Sequence, residues 1–211
     1  MTDVVIWGCG GFGREVNMLC GQVGLHVRGF LDERPEMKGR SVDDAPVLGT
    51  LGDIAHLRAI VTVVCAGVGD PALKQRFAGV TAAAGFRIAD PVVHPGVHVS
   101  QRTSLGPGTV VCAGVVMTVN VRVGEHVILN LNSTLGHDVV VGSFATIAPG
   151  VNVSGKVTIG EGAYLGTNCA VLEGRRLGAF SVVGGGSFVR TDVPERTLFA
   201  GVPAVLKKNL A

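Results

Sequence analysis

A histidine followed by a carboxylate is the clearest candidate for chemistry in this chain of 211 residues. His137 precedes Asp138, and Gly155 follows His137 by 18 positions. A histidine with a neighbouring carboxylate, lying beside a glycine whose N–H is free, is the arrangement of a general base next to an oxyanion donor. The same residues also fit an exposed histidine with no chemical role. The fold must therefore bring Gly155 and His137 together before the pattern has chemical meaning.

The element that would position these residues is a six-residue repeat running from Val93 to Pro194. Seventeen consecutive hexads, from Val93 to Val189, begin with an aliphatic residue, and glycine often follows it. A period of six fits neither a helix nor an alternating strand. It predicts a solenoid in which each hexad forms a short strand and a corner, and three hexads close one coil. The aliphatic residue should point into the prism, and the small residue after it should let the backbone turn. Coils stack at ~4.8 Å, so Gly155 should lie directly beside His137.

A second candidate site is a glycine turn near the N-terminus. An apolar strand at residues 3–8 runs into the Gly-x-Gly-x-x-Gly of residues 8–13, which opens a helix, and a strand at 26–31 ends in Asp32 and Glu33. Glycines let N–H groups approach an anion, and an acid at a strand end can accept hydrogen bonds from a ribose. The alternative is a tight structural turn without a ligand. The short segment before the repeats predicts a sheet of three or four parallel strands, which suits a mononucleotide better than a dinucleotide.

The chain divides into three parts by these patterns. We predict a small α/β domain at residues 1–90, the solenoid at 91–194, and a tail at 195–211 that holds a turn and a short helix or strand. Asp70 followed by Pro71 predicts the start of a second helix, because Asp is a good N-cap and proline suits the first helical position. Among the histidines of the repeat, His126 is predicted to be a solvated corner residue.

Composition bears on several classes of function. The net charge is +2 with lysines and arginines scattered, so nothing indicates a nucleic-acid partner. The chain shows neither a basic signal-peptide start nor an apolar run of ~18 residues, which predicts a cytoplasmic protein without a membrane span. Its five cysteines lack Cys-x-x-Cys spacing and are expected to be buried thiols. A zinc enzyme on such a solenoid needs three converging histidines, and no histidine follows His137, so we predict no metal.

Taken together, the motifs resemble the hexapeptide-repeat acyltransferases, in the group of sialic acid O-acetyltransferases and nucleotide-amino-sugar N-acetyltransferases. The resemblance covers nearly the whole chain and rests on residues 5–16, 29–33, 69–71, 94–95, 127–130, 136–138, 147–150 and 201–204. It implies a half-Rossmann nucleotide-binding α/β domain followed by an all-β left-handed parallel β-helix. It also implies a homotrimer that binds acetyl-coenzyme A as co-substrate in the groove between neighbouring prisms.

The resemblance also implies roles for individual residues. His137 would take a proton from the acceptor, and Asp138 would raise the basicity of that histidine. Asn130 would support the acceptor, while the Gly155 N–H would bind the thioester oxygen. The implied acetyl-coenzyme A contacts are Thr146, Thr167 and Gly185; the implied nucleotide-sugar contacts are Gly10, Gly11, Phe12, Asp32, Glu33 and Gly69. Two of these depart from the pattern, since many relatives carry histidine at the position of Phe12 and several carry it at the position of Thr146.

The function implied in this way is acetyl transfer to the amino group of a nucleotide-linked amino sugar for surface glycan synthesis. Two alternatives stay open at the level of sequence. The same base chemistry would serve O-acetylation of sialic acid or a related sugar, and the chain could be a sugar-binding trimer without catalysis.

Overall fold

The computed structural model describes residues 2–210 and begins with a mostly parallel sheet flanked by two helices. The elements of this part are β1 (Asp3–Trp7), α1 (Gly11–Gln22), β2 (His26–Leu31), β3 (Ser41–Val42), β4 (Ala45–Gly49), β5 (Val61–Val64), α2 (Pro71–Ala83) and β6 (Arg87–Ile88). The sheet order is β3-β4-β2-β1-β5-β6, and only β3 runs antiparallel to its neighbour. The half-Rossmann α/β arrangement is confirmed.

The expected number of strands was too low, because the prediction missed the hairpin of β3 and β4. β3 has only two residues, and Pro46 lies within β4. Proline cannot donate to a ladder, so a run that contains it is easily dismissed as a strand. Here Pro46 pairs with Ser41 in the short antiparallel ladder at the edge of the sheet.

The start of α2 follows the prediction from its cap. The Asp70 side chain accepts a hydrogen bond of 2.9 Å from the backbone N–H of Leu73, and Pro71 occupies the first turn. This cap satisfies one of the N–H groups that the first helical turn leaves without a partner.

Residues 92–189 form a parallel β-helix built from two-residue strands. The strands are β7 (Val92–Val93), β8 (Ser104–Leu105), β9 (Val110–Val111), β10 (Val116–Met117), β11 (Arg122–Val123), β12 (Ile128–Leu129), β13 (Thr134–Leu135), β14 (Val140–Val141), β15 (Thr146–Ile147), β16 (Asn152–Val153), β17 (Thr158–Ile159), β18 (Tyr164–Leu165), β19 (Ala170–Val171), β20 (Arg176–Leu177), β21 (Val182–Val183) and β22 (Phe188–Val189). These strands form three sheets, and each strand pairs with the strand one coil further along, as Leu129 pairs with Ile147. The predicted period of three hexads per coil is confirmed.

The first residues of the hexads fill the prism, with one exception. From Val111 to Val189 all of them are buried in one continuous core. Val99 is 37% exposed and no strand forms around it. It lies in the first coil, which has a neighbouring coil on one side only, so burial is incomplete there.

The glycine that often follows the aliphatic residue serves a different purpose from the predicted one. Gly136 does not have a positive φ; a Cβ on it would lie 2.7 Å from the Gly155 nitrogen of the next coil. The left-handed backbone occurs two residues later, as at Asp138 with φ of 60°. The glycine is therefore required by the close approach of coils, and the following positions make the turn.

The C-terminal residues form a hairpin instead of the predicted turn with one short element. β23 (Thr197–Gly201) pairs in parallel with β21, and β24 (Ala204–Asn209) folds back antiparallel to β23. Phe199 belongs to the prism core, so the hairpin covers the last coil. No helix within residues 2–210 has the length and apolarity to cross a membrane.

The N-terminal part packs on the outer face of the prism sheet that contains β9 and β12. Val16 and Leu19 of α1 share a buried cluster with Val110 and Ile128. The chain passes from the N-terminal sheet to the prism between β6 and β7, which belong to different sheets.

This packing overturns the expectation for His126, which is only 3% exposed. Its ring stacks on Phe144 with centroids 5.3 Å apart, and Phe144 in turn packs against the N-terminal domain. Burial, aided by the nearby Lys74, lowers the pKa of His126 to about 4. A corner that the repeat pattern leaves open to solvent is thus covered by another part of the chain.

Lowering the pH should destabilise the fold through the buried His126. Since the folded pKa of His126 is about 4 and the unfolded value is about 6.5, the unfolded chain binds more protons between these values. The free energy of unfolding should therefore decrease by on the order of 2 kcal/mol through His126 as pH drops from 6.5 to 4. The His126→Phe variant should not show this part of the decrease. Phenylalanine already occupies the equivalent hexad position at Phe144 and Phe180. Urea unfolding across this pH range would contradict the assignment if both proteins lost stability equally.

Candidate active site

His137 lies at a corner between β13 and β14 with its ring half exposed. Its Nδ1 is 2.9 Å from Oδ2 of Asp138. The Asp138 N–H donates to the carbonyl of Val119 in the preceding coil, so the backbone of the corner is fixed. The geometry predicted from the sequence, a histidine paired with the next carboxylate, is present.

A residue that the sequence reasoning missed holds the carboxylate in place. Asn120 donates a hydrogen bond of 3.0 Å from Nδ2 to Oδ1 of Asp138. This contact, followed by the one to His137, lowers the pKa of Asp138, so the side chain stays ionised as an acceptor. An ionised Asp138 favours the imidazole tautomer with the proton on Nδ1, which leaves the Nε2 lone pair available. Asn120 lies 18 positions before Asp138, and this spacing of one coil could have identified Asn120 from the sequence.

Gly155 stacks against the His137 ring, as the coil spacing predicted. The carbonyl of His137 accepts a 2.7 Å hydrogen bond from the Lys156 N–H, and a Cβ on Gly155 would collide with Nε2 of His137. Within residues 2–210 the Gly155 N–H donates to no protein acceptor. A basic nitrogen and a free backbone donor therefore lie side by side, with no side chain between them.

A groove of about 250 Å³ runs along the outer face of the sheet that ends in this corner. It is lined by Thr118, Thr134, Gly136, Asn152 and Ser154, among others. Thr134 donates from Oγ1 to Oδ1 of Asn152 at 3.0 Å, which fixes the amide in the wall of the groove. Molecules that reach His137 can thus contact polar side chains of two neighbouring coils.

Three of the implied ligand contacts lie at a different corner of the prism. Asn130, Thr167 and Gly185 follow β12, β18 and β21, which belong to one sheet, whereas His137 follows β13 of another sheet. The Asn130 Oδ1 accepts a hydrogen bond of 2.7 Å from the Leu131 N–H. A single chain does not bring these residues to His137.

Thr146, the remaining implied contact to acetyl-coenzyme A, has its hydroxyl committed elsewhere. The residue is 4% exposed. Its Oγ1 donates to the carbonyl of Gly69 at 2.7 Å and accepts from Nζ of Lys74, also at 2.7 Å. The structure thus connects two of the predicted site residues, Thr146 and Gly69, to each other.

The glycine turn before α1 presents free backbone to its surroundings. Gly10 caps the helix without a side-chain hydrogen bond, and the first turn contains no acid. A Cβ on Gly10 or Gly11 would meet nothing within 4 Å, whereas Gly13 packs directly on the carbonyl of Gly8. Phe12 is half buried and packs against the core below the turn. The positive end of α1 is therefore open to an anion.

The two acids at the end of β2 are already paired. Both carboxylate oxygens of Asp32 accept hydrogen bonds from Arg34, and Oδ2 also accepts from the Cys9 thiol. These contacts hold the pKa of Asp32 well below its usual range, with Arg34 as the main cause. Glu33 forms an ion pair with Arg76. The sequence reasoning overlooked Arg34, whose guanidinium is the exposed member of the Asp32 pair.

The N-terminal part of the chain is similar to a known domain family. Residues 3–80 match the family model described as the PglD N-terminal domain. A search of curated proteins finds no match.

Solved structures are similar over almost the whole chain. A histidine variant of perosamine N-acetyltransferase from Caulobacter crescentus, in complex with CoA and GDP-perosamine, has 30% identity and a TM-score of 0.90, covering 99% of this chain and 98% of that one. PerB from the same organism has 31% identity and a TM-score of 0.90 with the same coverage. The acetyltransferase domain of PglB from Neisseria gonorrhoeae, in complex with acetyl coenzyme A, has 30% identity and a TM-score of 0.88, covering 97% of this chain and 98% of that one.

Gly155→Ala should displace the His137 ring, because the added methyl group would occupy the space of Nε2. We expect loss of the preference for the Nδ1–H tautomer, measured by long-range ¹H–¹⁵N NMR of the imidazole. Gly21→Ala is the control, since a Cβ there meets nothing within 4 Å. An unchanged His137 spectrum in Gly155→Ala would contradict the stacked geometry.

Proposed function

The chain belongs to the hexapeptide-repeat sugar acetyltransferases, and from that premise we propose that it acetylates the amino group of a nucleotide-linked amino sugar with His137 as general base. Acetyl-coenzyme A is the acetyl donor in this proposal. The observation that carries it is the His137 corner: Nδ1 faces the ionised Asp138, and Nε2 lies over Gly155 beside a free N–H.

The proposed reaction uses each part of this corner. The acceptor amine attacks the thioester carbon and forms the new C–N bond while Nε2 of His137 takes the proton. Negative charge then develops on the thioester oxygen, and the Gly155 N–H donates to it. Collapse breaks the C–S bond, and the coenzyme A thiolate leaves and recovers the proton from His137. Asp138, held by Asn120, stabilises the imidazolium that exists between these two proton transfers.

The N-terminal part supports a nucleotide-linked acceptor. The open glycine turn at the start of α1 suits a phosphate group, and Gly10, Gly11 and Phe12 supply its N–H groups. Gly69 lies in the neighbouring turn. Because Asp32 and Glu33 are paired with arginines, we propose that these acids position Arg34 and Arg76 at the edge of the site. The relatives whose structures contain GDP-perosamine share this fold over 98% of their length.

We propose a homotrimer, and the separation of the two corners supports a site shared between subunits. Asn130, Thr167 and Gly185 cannot face His137 of their own chain, so we propose that they face His137 of a neighbouring subunit across the acetyl-coenzyme A groove. The sheet between the two corners exposes Val116 at 54% and Phe188 at 37%. These two residues lie on the first and last strands of the sheet, and we propose that a neighbouring subunit covers both.

The proposed activity is tested by turnover of acetyl-coenzyme A on a panel of nucleotide-linked 4-amino sugars and their 4-hydroxy counterparts. We expect acetylation of an amino sugar, and a loss of ~10²–10⁴-fold in kcat for His137→Ala. His98→Ala, on the same prism with an exposed side chain, is the matched control and should keep full activity. If the wild type acetylates only the hydroxy sugars, the protein is an O-acetyltransferase and the proposed N-acetylation is wrong. Full activity of His137→Ala would contradict the role of His137 as general base.

Subunit contact is tested by placing a charge on the exposed sheet face. The wild type should have a mass of about three times 21.6 kDa by sedimentation equilibrium. Val116→Asp should give monomers with little activity, because it buries a charge at the interface. Val140→Asp is the control, since Val140 is an exposed valine on a different sheet. A trimeric and active Val116→Asp would contradict the proposed interface.

A further inference from the structure

Lys74, in the first half of α2, is a buried lysine that the proposed reaction does not use. The residue has no exposed surface, although lysine is rarely buried without a partner. Its Nζ donates to the carbonyl of Ala145 at 2.9 Å and to Oγ1 of Thr146 at 2.7 Å. Both acceptors belong to the prism, so the side chain connects the N-terminal domain to the β-helix.

The hydrogen bonds through Thr146 run in one direction. A carbonyl oxygen can only accept, so Thr146 must donate its hydroxyl proton to Gly69. Its Oγ1 lone pair then accepts from Lys74. The lysine, the threonine and the Gly69 carbonyl thus form an ordered series in which each group fixes the next.

The series ends in the turn that adjoins the proposed nucleotide site. A Cβ on Gly8 would lie 2.6 Å from the Val68 side chain, and Gly67 packs against the carbonyl of Trp7. The turn at residues 67–69 therefore lies directly against the glycine turn before α1. A shift of Gly69 would be transmitted to the backbone that faces the phosphate.

The Lys74 amine donates to a carbonyl and a hydroxyl, and neither of these partners is a carboxylate. The charged and titratable groups around it are Asp70, at the cap of its own helix, and His126 on the prism. Burial lowers the pKa of Lys74 to about 7 despite the opposing effect of Asp70. A neutral amine has two N–H donors, and the site offers two acceptors, so both hydrogen bonds persist after loss of the charge.

We propose that Lys74 is a positioning residue that, through Thr146, fixes the Gly69 turn and thereby the nucleotide-binding backbone relative to the prism. The inference rests on the proposed function, since it assigns Lys74 to the nucleotide-linked substrate and not to acetyl-coenzyme A. It also replaces the implied contact of Thr146 with acetyl-coenzyme A by a contact within the protein.

The test is equilibrium binding of GDP, UDP and coenzyme A to full-length variants by calorimetry. Lys74→Met should weaken nucleoside diphosphate binding by ~10–100-fold and Thr146→Val by ~10-fold, because each leaves a buried polar group without its partner. Thr146→Ser keeps the hydroxyl and should bind within about twofold of wild type. Coenzyme A affinity should be unchanged in all three. Lys74→Met and Thr146→Val should also raise KM for the sugar nucleotide with little change in kcat, whereas Thr146→Ser should leave both close to the wild-type values.

The matched control is Gln75→Ala. Gln75 follows Lys74 in α2 and makes an exposed hydrogen bond of 2.8 Å to Glu161 across the same boundary. Its removal should leave both affinities unchanged. If Lys74→Met lowers only thermal stability, or if Thr146→Val weakens coenzyme A instead, the positioning role is refuted. If the wild type binds no nucleoside diphosphate, the nucleotide site of the proposed function is wrong. The positioning role of Lys74 is then wrong as well, because it presupposes that site.

Discussion

The chemistry of this protein depends on one constraint, the stacking of coils in register. Strands one coil apart pair residue for residue, as Thr134 pairs with Asn152. Because the rise between coils is only ~4.8 Å, corner residues with this spacing touch each other. Asn120 therefore holds Asp138, and Gly155 lies under the His137 ring. The candidate site is a column of corner residues from three successive coils, and its geometry is as rigid as the ladder that spaces them.

The same stacking decides which residue types the corner can use. Close approach of coils requires glycine at position 136, where a Cβ would meet the next backbone. Asp138 must adopt a left-handed backbone, which Asp and Asn tolerate better than most residues. The carboxylate that orients His137 is thus also a residue able to turn the corner. Asp138 therefore meets two demands at once, because it turns the corner and also fixes the orientation of the candidate base, His137.

Contact with the N-terminal domain changes the prism in a way the repeat does not encode. Where α2 and its neighbours cover the outer face, His126 and Lys74 lose contact with water, and burial lowers the pKa of each. Thr146 lies on β15, in the prism sheet that the N-terminal part covers, and its hydroxyl donates to the carbonyl of Gly69. A second set of polar contacts therefore lies between the two parts of the chain, away from the His137 corner.

Those parts of the structure that depend on local or periodic patterns could be predicted from the amino-acid sequence. The hexad period predicted the prism, its inward residues and the contact of His137 with Gly155, because a ladder of constant spacing turns sequence distance directly into spatial distance. The cap at Asp70 and the limits of β2 were likewise readable, since neighbouring residues decide them. Packing of the two parts against each other decided the burial of His126 and the partner of Thr146. These depend on which surfaces meet when two parts of the chain pack, and no repeat or local preference specifies that meeting.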